Sequence, residues 1–322
     1  MSDPFLILAP ILLFAVVGLL QFVGCSFQAG EAASAPDPTF DPIGGTYSGP
    51  VSVSIGDTDA SATVYYTTGT TPPSPPGVGT VYSTPLQISG ATTVNAIATD
   101  PADNNSNVVT AVYNIVPIAF RQFKEAVASD ATGASISTPA FDQPVGQGSL
   151  MVLWIWYNTG GQNVQVESVT DSENNMGYAR AVGPTAGAGV PGFQQEIWYG
   201  FVAMSGAGFS VTANFSAVFT GDKAITGHEF TGADPTGSLQ FTAANNGATG
   251  TANCGPVQAT QGGLVFAAAI FPGGATAGAG FTQVSGLTGN VSEYEIATAA
   301  GEAMGTFTNT PQGWIAQMAT FK

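Results

Sequence analysis

The chain has 322 residues and carries 21 acidic side chains against 5 Lys and Arg, so its formal net charge is −16. A chain this acidic, whose first basic residue is Arg121, cannot neutralise a row of phosphates, which excludes nucleic acid as a partner. One histidine and two cysteines exclude a zinc site built from several Cys and His side chains, and they exclude a disulfide framework.

The first segment, residues 1–27, is dominated by an apolar run at residues 5–24 that contains no charged side chain. A helix of this length spans the hydrocarbon core of a bilayer, which is about 30 Å thick. We therefore predict a hydrophobic N-terminal helix that acts as a membrane anchor or a secretion signal. This places the rest of the chain at the cell envelope, on its extracellular face.

The end of this segment contains a candidate lipidation site. Phe22, Val23 and Gly24 precede Cys25, and this order resembles the lipobox of bacterial lipoproteins, in which the cysteine is acylated. The alternative is an uncleaved anchor in which Cys25 has no role of its own. In both cases we expect Cys25 and Cys254 to remain unbonded, because one lies at the membrane boundary and the other in a folded domain.

Residues 28–38 are small, polar and proline-bearing, which is typical of a flexible linker. From residue 39 onward apolar and polar side chains alternate, as at residues 51–55 and 94–98. This period of two is typical of half-buried strands. Turns rich in Gly, Pro and Asn separate the runs, so we predict that residues 39–116 form a small β-sandwich.

Five segments of this predicted domain show a distinctive spacing, and they are residues 40–47, 62–68, 82–86, 94–98 and 106–113. Through these segments, residues 37–116 resemble the C-terminal-type domain of chitobiase and β-hexosaminidase. The resemblance implies an Ig-like fold. It also implies an accessory role without catalysis, since this domain occurs beside glycosidase domains and in many bacterial surface proteins.

The remaining residues, 117–322, show the same alternation of apolar runs and turn residues. The clearest runs are residues 150–157, 164–170, 195–203, 224–230, 264–271 and 314–321. No long stretch keeps the 3.6-residue period and the capping residues of a helix. We predict a larger, jelly-roll-like β-sandwich here, so that the chain is all-β apart from its N-terminal helix.

Aromatic residues in the larger domain provide the best candidates for carbohydrate binding. Trp154 and Trp156 are two residues apart and therefore share one face of a strand, and Glu196 and Trp198 share a face of another. Exposed on a sheet, these rings would form a platform on which sugar rings stack. Burial in the core is the alternative, because aromatic side chains dominate the packing of protein cores.

Catalysis requires titratable groups that lie close together, and the larger domain has few of them. His228 is the only histidine, and Glu196 and Glu229 lie in apolar runs where a charge is costly to bury. These two glutamates are the pair that a glycan-active enzyme would use. The sequence does not set their separation, so we assign no catalytic residue and predict that the chain is not an enzyme.

A candidate calcium site follows the predicted strand at residues 164–170. Asp171, Glu173 and Asn175 offer oxygen ligands at alternate positions, and oxygen ligands from such loops are those that Ca²⁺ prefers. The alternative is ordinary turn chemistry, in which Asp and Asn side chains bond to nearby backbone groups. Calcium is the one cofactor for which the sequence contains a candidate site.

These observations predict a non-enzymatic bacterial surface protein that is anchored in the envelope through residues 5–24. Its expected partners are the membrane and a polysaccharide or another cell-surface glycan, through binding or adhesion. One alternative is a subunit of an extracellular filament, in which hydrophobic N-terminal helices assemble a homo-oligomer. A second alternative is a glycan-active enzyme.

Overall fold

The computed structural model describes residues 34–322, except residues 48, 103, 176, 188, 310 and 311. The predicted helix at residues 5–24 and the predicted lipidation site at Cys25 lie outside the described residues. Within the described part no helix has the length and apolar character needed to cross a membrane. The all-β prediction is confirmed for these residues, because their regular structure consists of strands and a single short 3₁₀ helix, Leu287–Gly289.

The strands of the small domain are β1 (Thr39–Asp41), β2 (Gly45–Tyr47), β3 (Val51–Gly56), β4 (Thr63–Thr68), β5 (Thr80–Val81), β6 (Leu86–Ile88), β7 (Thr92–Thr99) and β8 (Val109–Ile115). They form a three-stranded sheet, β1-β3-β6, and a five-stranded sheet, β2-β8-β7-β4-β5. Both sheets contribute to one core, with Val53 and Ile55 from the first sheet and Val94 and Tyr113 from the second. The small domain is therefore a β-sandwich.

The strands of the large domain are β9 (Ala119–Ser137), β10 (Leu150–Asn158), β11 (Val166–Asp171), β12 (Ala179–Gly187), β13 (Val190–Phe201), β14 (Val211–Thr231), β15 (Leu239–Gly247), β16 (Ala252–Asn253), β17 (Val257–Ala259), β18 (Leu264–Ile270), β19 (Ala275–Ala277), β20 (Thr282–Ser285), β21 (Val291–Ile296), β22 (Gly301–Ala303), β23 (Thr306–Asn309) and β24 (Trp314–Phe321). Two larger sheets dominate this domain. One has the order β12-β13-β10-β14-β11, with β9 also paired to β14, and the other has the order β15-β24-β18-β21-β20.

Strand β14 is long and irregular, and it shapes one side of the domain. Its first part pairs with β11 and its last part pairs with β10, while its register against β9 shifts between Asn214 and Phe219 and again between Gly221 and Lys223. Such bulges bend a strand. Both parts of β14 therefore contribute side chains to the same core, and Phe215 and Ile225 lie in it together.

The central core lies between the two larger sheets. One face of β10 packs against one face of β18 and β24, with Trp154, Phe266 and Phe321 among the buried side chains. The opposite face of β18 and β24 is also covered, because the short strands β16, β17, β22 and β23 and their connections pack on it. Both faces of the central strands are thus buried, which explains their nearly continuous apolar sequence.

The two domains are joined directly. Strand β8 ends at Ile115 and β9 begins at Ala119. The backbone N–H of Val116 donates to the carbonyl oxygen of Tyr47 at 2.8 Å. A Cβ atom on Gly49 would lie 2.3 Å from the carbonyl oxygen of Gln261, so only glycine allows this close approach. The short connection and the tight contact create a cleft between the domains.

Candidate functional site

The two tryptophans of β10 share a face, as their spacing predicts, but that face is covered by the second sheet. The side chains of Trp154 and Trp156 are 1% and 5% exposed and lie in the central core. The indole Nε1–H of Trp154 donates to Oε1 of Gln195 at 3.0 Å, and this bond is buried. The structure therefore corrects the interpretation of an exposed platform and favours the core alternative.

This bond leads to a prediction for Trp154. We expect Trp154→Phe to lower the free energy of unfolding by about 1–3 kcal/mol, because it leaves Oε1 of Gln195 buried without its donor. Denaturant titration followed by circular dichroism measures the change. Unchanged stability would show that Gln195 finds another donor.

Glu196 and Trp198 also share a buried face, and they belong to one hydrogen-bonded cluster. Oε1 of Glu196 accepts from the hydroxyl of Tyr157 at 2.6 Å and from the backbone N–H of Val166 at 3.0 Å. Oε2 accepts from the indole of Trp198 at 2.9 Å, and the Arg180 guanidinium lies 2.6 Å away. Burial and the nearby carboxylate raise the pKa of Tyr157. Glu196 and Trp198 therefore have protein partners where a sugar ligand was expected.

Glu229 is fully buried in a different cluster. Its Oε1 accepts from the hydroxyl of Ser149 at 2.7 Å and the backbone N–H of Gly146 at 2.9 Å, and its Oε2 accepts from the amide of Gln122 at 2.7 Å. Arg121 adds an ion pair at 3.3 Å. In the described structure Glu229 and Glu196 have no hydrogen-bond partner in common, so the structure does not unite them as a catalytic pair.

His228 lies in the core with both ring nitrogens engaged. Nδ1 lies 3.0 Å from the carbonyl oxygen of Val152, and Nε2 lies 2.9 Å from the hydroxyl of Ser292. Burial lowers the pKa of His228 to about 4, so the ring is neutral at physiological pH. The ring has no exposed surface, so His228 is a hydrogen-bonded core residue.

The predicted calcium loop is closed by its own hydrogen bonds. Oδ1 of Asp171 accepts from the backbone N–H groups of Glu173 and Asn175, both at 3.0 Å, and Oδ2 accepts from the hydroxyl of Tyr178 at 2.8 Å. Oδ1 of Asn175 accepts from the backbone N–H of Ala203 at 2.9 Å. Among the described residues no three His, Cys, Asp or Glu side chains are grouped to hold a metal ion. Calcium binding at this loop stays a prediction.

One acidic pair was missed by the sequence argument. Glu293 and Glu295 lie two residues apart on β21, and Glu293 is fully buried. Oε2 of Glu293 accepts from the backbone N–H of Gly278 at 2.8 Å, whereas Oε1 has no partner among the described residues. Burial raises the pKa of Glu293 to about 8. The signal was the Glu-x-Glu spacing within a strand-like run.

Cys254 interacts electrostatically with the carboxyl group of Glu293. Its thiol is free and fully buried, and burial together with the Glu293 carboxylate raises its pKa well above the usual value. The thiolate is the reactive form of cysteine. The buried Cys254 side chain is therefore held in the thiol form, which is the less reactive one.

The cleft between the domains is the strongest candidate binding site. It encloses about 330 Å³, which falls within the usual range for small-molecule sites. Its lining residues are Tyr47, Gly49, Pro50, Val51, Ser52 and Gln87 from the small domain and Asp234, Thr260, Gln261, Ala300 and Lys322 from the large domain. Sequence reasoning missed this site because its two walls lie far apart in the chain.

Tyr47 provides the aromatic ring of the cleft. It stacks on Tyr113, with 6.1 Å between ring centroids, and its hydroxyl donates to the carbonyl oxygen of Ile43. These contacts hold the ring in place beside the cleft. Burial and the nearby Asp234 carboxylate raise the pKa of Tyr47, so the phenol is neutral at physiological pH.

The polar groups of the cleft are amides, hydroxyls and one pair of opposite charges. The amide of Gln87 donates to the hydroxyl of Ser52 at 2.8 Å. Nζ of Lys322 lies 3.8 Å from Oδ2 of Asp234, and these are the charged residues among those that line the cleft. Because their charges balance, the cleft suits an uncharged ligand that offers hydrogen-bonding groups.

The small domain matches a known family of protein domains. No curated protein matches this chain. A solved structure of carbohydrate-binding modules from the beta-sandwich super family covers 61% of this chain and 97% of its own, at 11% sequence identity and a TM-score of 0.24, and so low a score supports no inference. Residues 42–110 match the family model of the chitobiase/beta-hexosaminidase C-terminal domain, which confirms the resemblance seen in the sequence of the small domain.

Proposed function

We propose that this chain is a non-enzymatic surface protein that binds an uncharged polysaccharide in the cleft between its two domains. The observation that carries the proposal is the composition of the cleft, in which the fixed ring of Tyr47 lies among amide and hydroxyl groups. One wall of the cleft belongs to the domain matched at residues 42–110. The accessory role that this resemblance implies agrees with binding rather than catalysis.

The chemistry of sugars fits such a cleft. One face of a pyranose ring presents C–H groups, which pack against an aromatic ring, and its hydroxyls exchange hydrogen bonds with amides and hydroxyls. Gln87 and Gln261, which lie on opposite walls, supply amides from both domains. We expect weak affinity, on the order of micromolar to millimolar, because ordering costs offset most of the contacts in a small site.

The non-enzymatic part of the proposal is supported by the burial of the acidic and basic side chains that a glycosidase could use. Glu196, Glu229 and His228 are fully buried and are hydrogen-bonded to protein groups. A substrate would have to open the core to reach them. The envelope location in the proposal depends on the apolar residues 5–24.

Retention of the full chain on chitin, cellulose and peptidoglycan tests this function. We expect Tyr47→Leu to weaken retention about tenfold, equivalent to about 1.4 kcal/mol, because leucine keeps the packing against Tyr113 but removes the ring face. Tyr65→Leu, on β4 and outside the cleft, is the matched control and should bind like the wild type.

The outcomes separate the hypotheses. Absence of wild-type retention on all three polymers would contradict polysaccharide binding. Equal retention of Tyr47→Leu and wild type would remove the cleft as the site. Release of reducing ends from any polymer would place the protein among the glycan-active enzymes and would contradict the non-enzymatic part of the proposal.

A further inference from the structure

A second cavity lies in the large domain, lined by residues of both larger sheets and their connections. It encloses about 210 Å³, and its lining includes Ser129, Trp156, Val190, Phe193, Asp222 and Asn290. None of these residues lines the cleft between the domains. The volume is below the range of drug-sized sites, so the cavity suits a single ring.

The floor of this cavity is aromatic. The rings of Trp156 and Phe193 lie 6.1 Å apart between centroids and are tilted by 42°. Trp156 and Val190 are buried in the central core. Phe193 is half-buried and is the more accessible of the two aromatic side chains, so its ring is the apolar surface that an entering sugar would meet.

The polar side chains of the cavity are also held in place. Oδ1 of Asn290 accepts from the backbone N–H of Phe271 at 2.8 Å. Oδ1 of Asp222 accepts from the backbone N–H of Asp130 at 3.0 Å. These bonds orient an amide and a carboxylate beside the aromatic floor, which limits the ordering cost of binding.

The charge of this cavity differs from that of the interdomain cleft. Asp222 is the charged residue among those that line it, and Asp222 belongs to none of the ion pairs formed by the described residues. The adjacent Lys223 is buried elsewhere, with Nζ donating to the carbonyl oxygen of Ala131 at 2.6 Å. The cavity therefore carries a negative charge that no lining cation balances.

We infer that this cavity binds an amino-sugar unit that carries a free ammonium group. The C–H face of the sugar packs on the half-buried ring of Phe193, and the ammonium group pairs with the carboxylate of Asp222. A carboxylate beside aromatic faces favours a cation through charge-assisted hydrogen bonding and cation–π attraction. An N-acetylated sugar lacks the cation, and a uronate is repelled. The inference shares the premise of glycan binding with the proposed function but assigns a separate site.

Isothermal titration of the full chain with a glucosamine oligosaccharide and its N-acetylated counterpart, at about pH 6, tests the inference. We expect the wild type to bind the glucosamine form at least tenfold more tightly. Asp222→Asn keeps the acceptor for Asp130 and removes the charge, so it should abolish that preference. Phe193→Leu should weaken glucosamine binding, with circular dichroism as the check on folding.

The same titrations distinguish this site from the cleft. They are repeated in the Tyr47→Leu background, which weakens the contribution of the cleft; the preference for glucosamine should persist there and be lost in Tyr47→Leu/Asp222→Asn, because Tyr47 does not line the second cavity. Equal binding of both sugars by the wild type, or an undiminished preference in Asp222→Asn, would overturn the inference. Neither result bears on the retention of uncharged polymers through Tyr47. The proposed function is therefore tested separately, by the retention experiment with Tyr47→Leu.

Discussion

Replacing Arg180 by methionine is expected to lower the free energy of unfolding by about 3–5 kcal/mol, the cost of leaving one partner of a buried ion pair without its counter-charge. The Glu196 side chain is fully buried, and the guanidinium of Arg180, 2.6 Å away, is 29% exposed. Arg180 also lies over the ring of Trp198 at 5.1 Å from its centroid. Methionine fills much of the same volume but supplies neither the charge nor the donors.

Arg121→Met is the matched control for this prediction. Arg121 pairs with the buried Glu229 at 3.3 Å, but its side chain is 42% exposed, so solvent screens more of the interaction. Glu229 keeps three neutral donors and Glu196 also keeps three, so the two variants differ in the exposure of the arginine and in its distance from the carboxylate. We expect a loss of about 1 kcal/mol in urea titrations at neutral pH. Losses of equal size in the two variants would contradict the distinction.

Glu293→Gln is expected to stabilise the protein at alkaline pH and to leave its stability unchanged in acid. Burial raises the pKa of Glu293 from 4.5 to about 8 in the folded protein. Between these values the unfolded chain releases the proton while the folded chain retains it. The stability of the wild type therefore falls as pH rises, by about 1.4 kcal/mol per pH unit, and levels off above about pH 8.

Glutamine removes this ionisation while keeping an acceptor for the backbone N–H of Gly278. At pH 9 we expect Glu293→Gln to exceed the wild type by roughly 5 kcal/mol. Denaturant titrations from about pH 4 to pH 9 measure the difference. Glu302→Gln, an exposed residue of β22, is the control and should follow the wild type. Parallel pH profiles for Glu293→Gln and wild type would show that the buried carboxyl does not resist ionisation.

Much of the local structure follows from short-range patterns. The alternation at residues 51–55 places Val53 and Ile55 inward and their serine neighbours outward in β3, since successive side chains of a strand point to opposite faces. The same rule puts Trp154 and Trp156 on one face of β10. The family resemblance at residues 42–110 also depends on local spacing, and it is confirmed.

Whether a face is open or covered depends on strands that are distant in the chain. Trp154 is buried because β18 and β24 pack across it, and no periodicity within β10 reveals that partner. Glu293 is fully buried, and its carboxylate accepts a hydrogen bond from Gly278, a residue outside its own strand. An apolar strand can be buried on one face or on both faces, and the difference depends on which distant strands pack against it. The sequence of the strand alone therefore does not decide between these two arrangements.

The strands of this protein and the alternation of their side chains thus follow from interactions within a few positions, because backbone geometry imposes a period of two on every strand. The two candidate binding sites depend instead on contacts between segments that are distant in the chain. Tyr47 meets Asp234 only where the domains touch, and Trp156 meets Phe193 and Asp222 only in the assembled large domain. Tertiary packing decides these contacts, since burial and charge balance at each site depend on side chains brought together from separate strands.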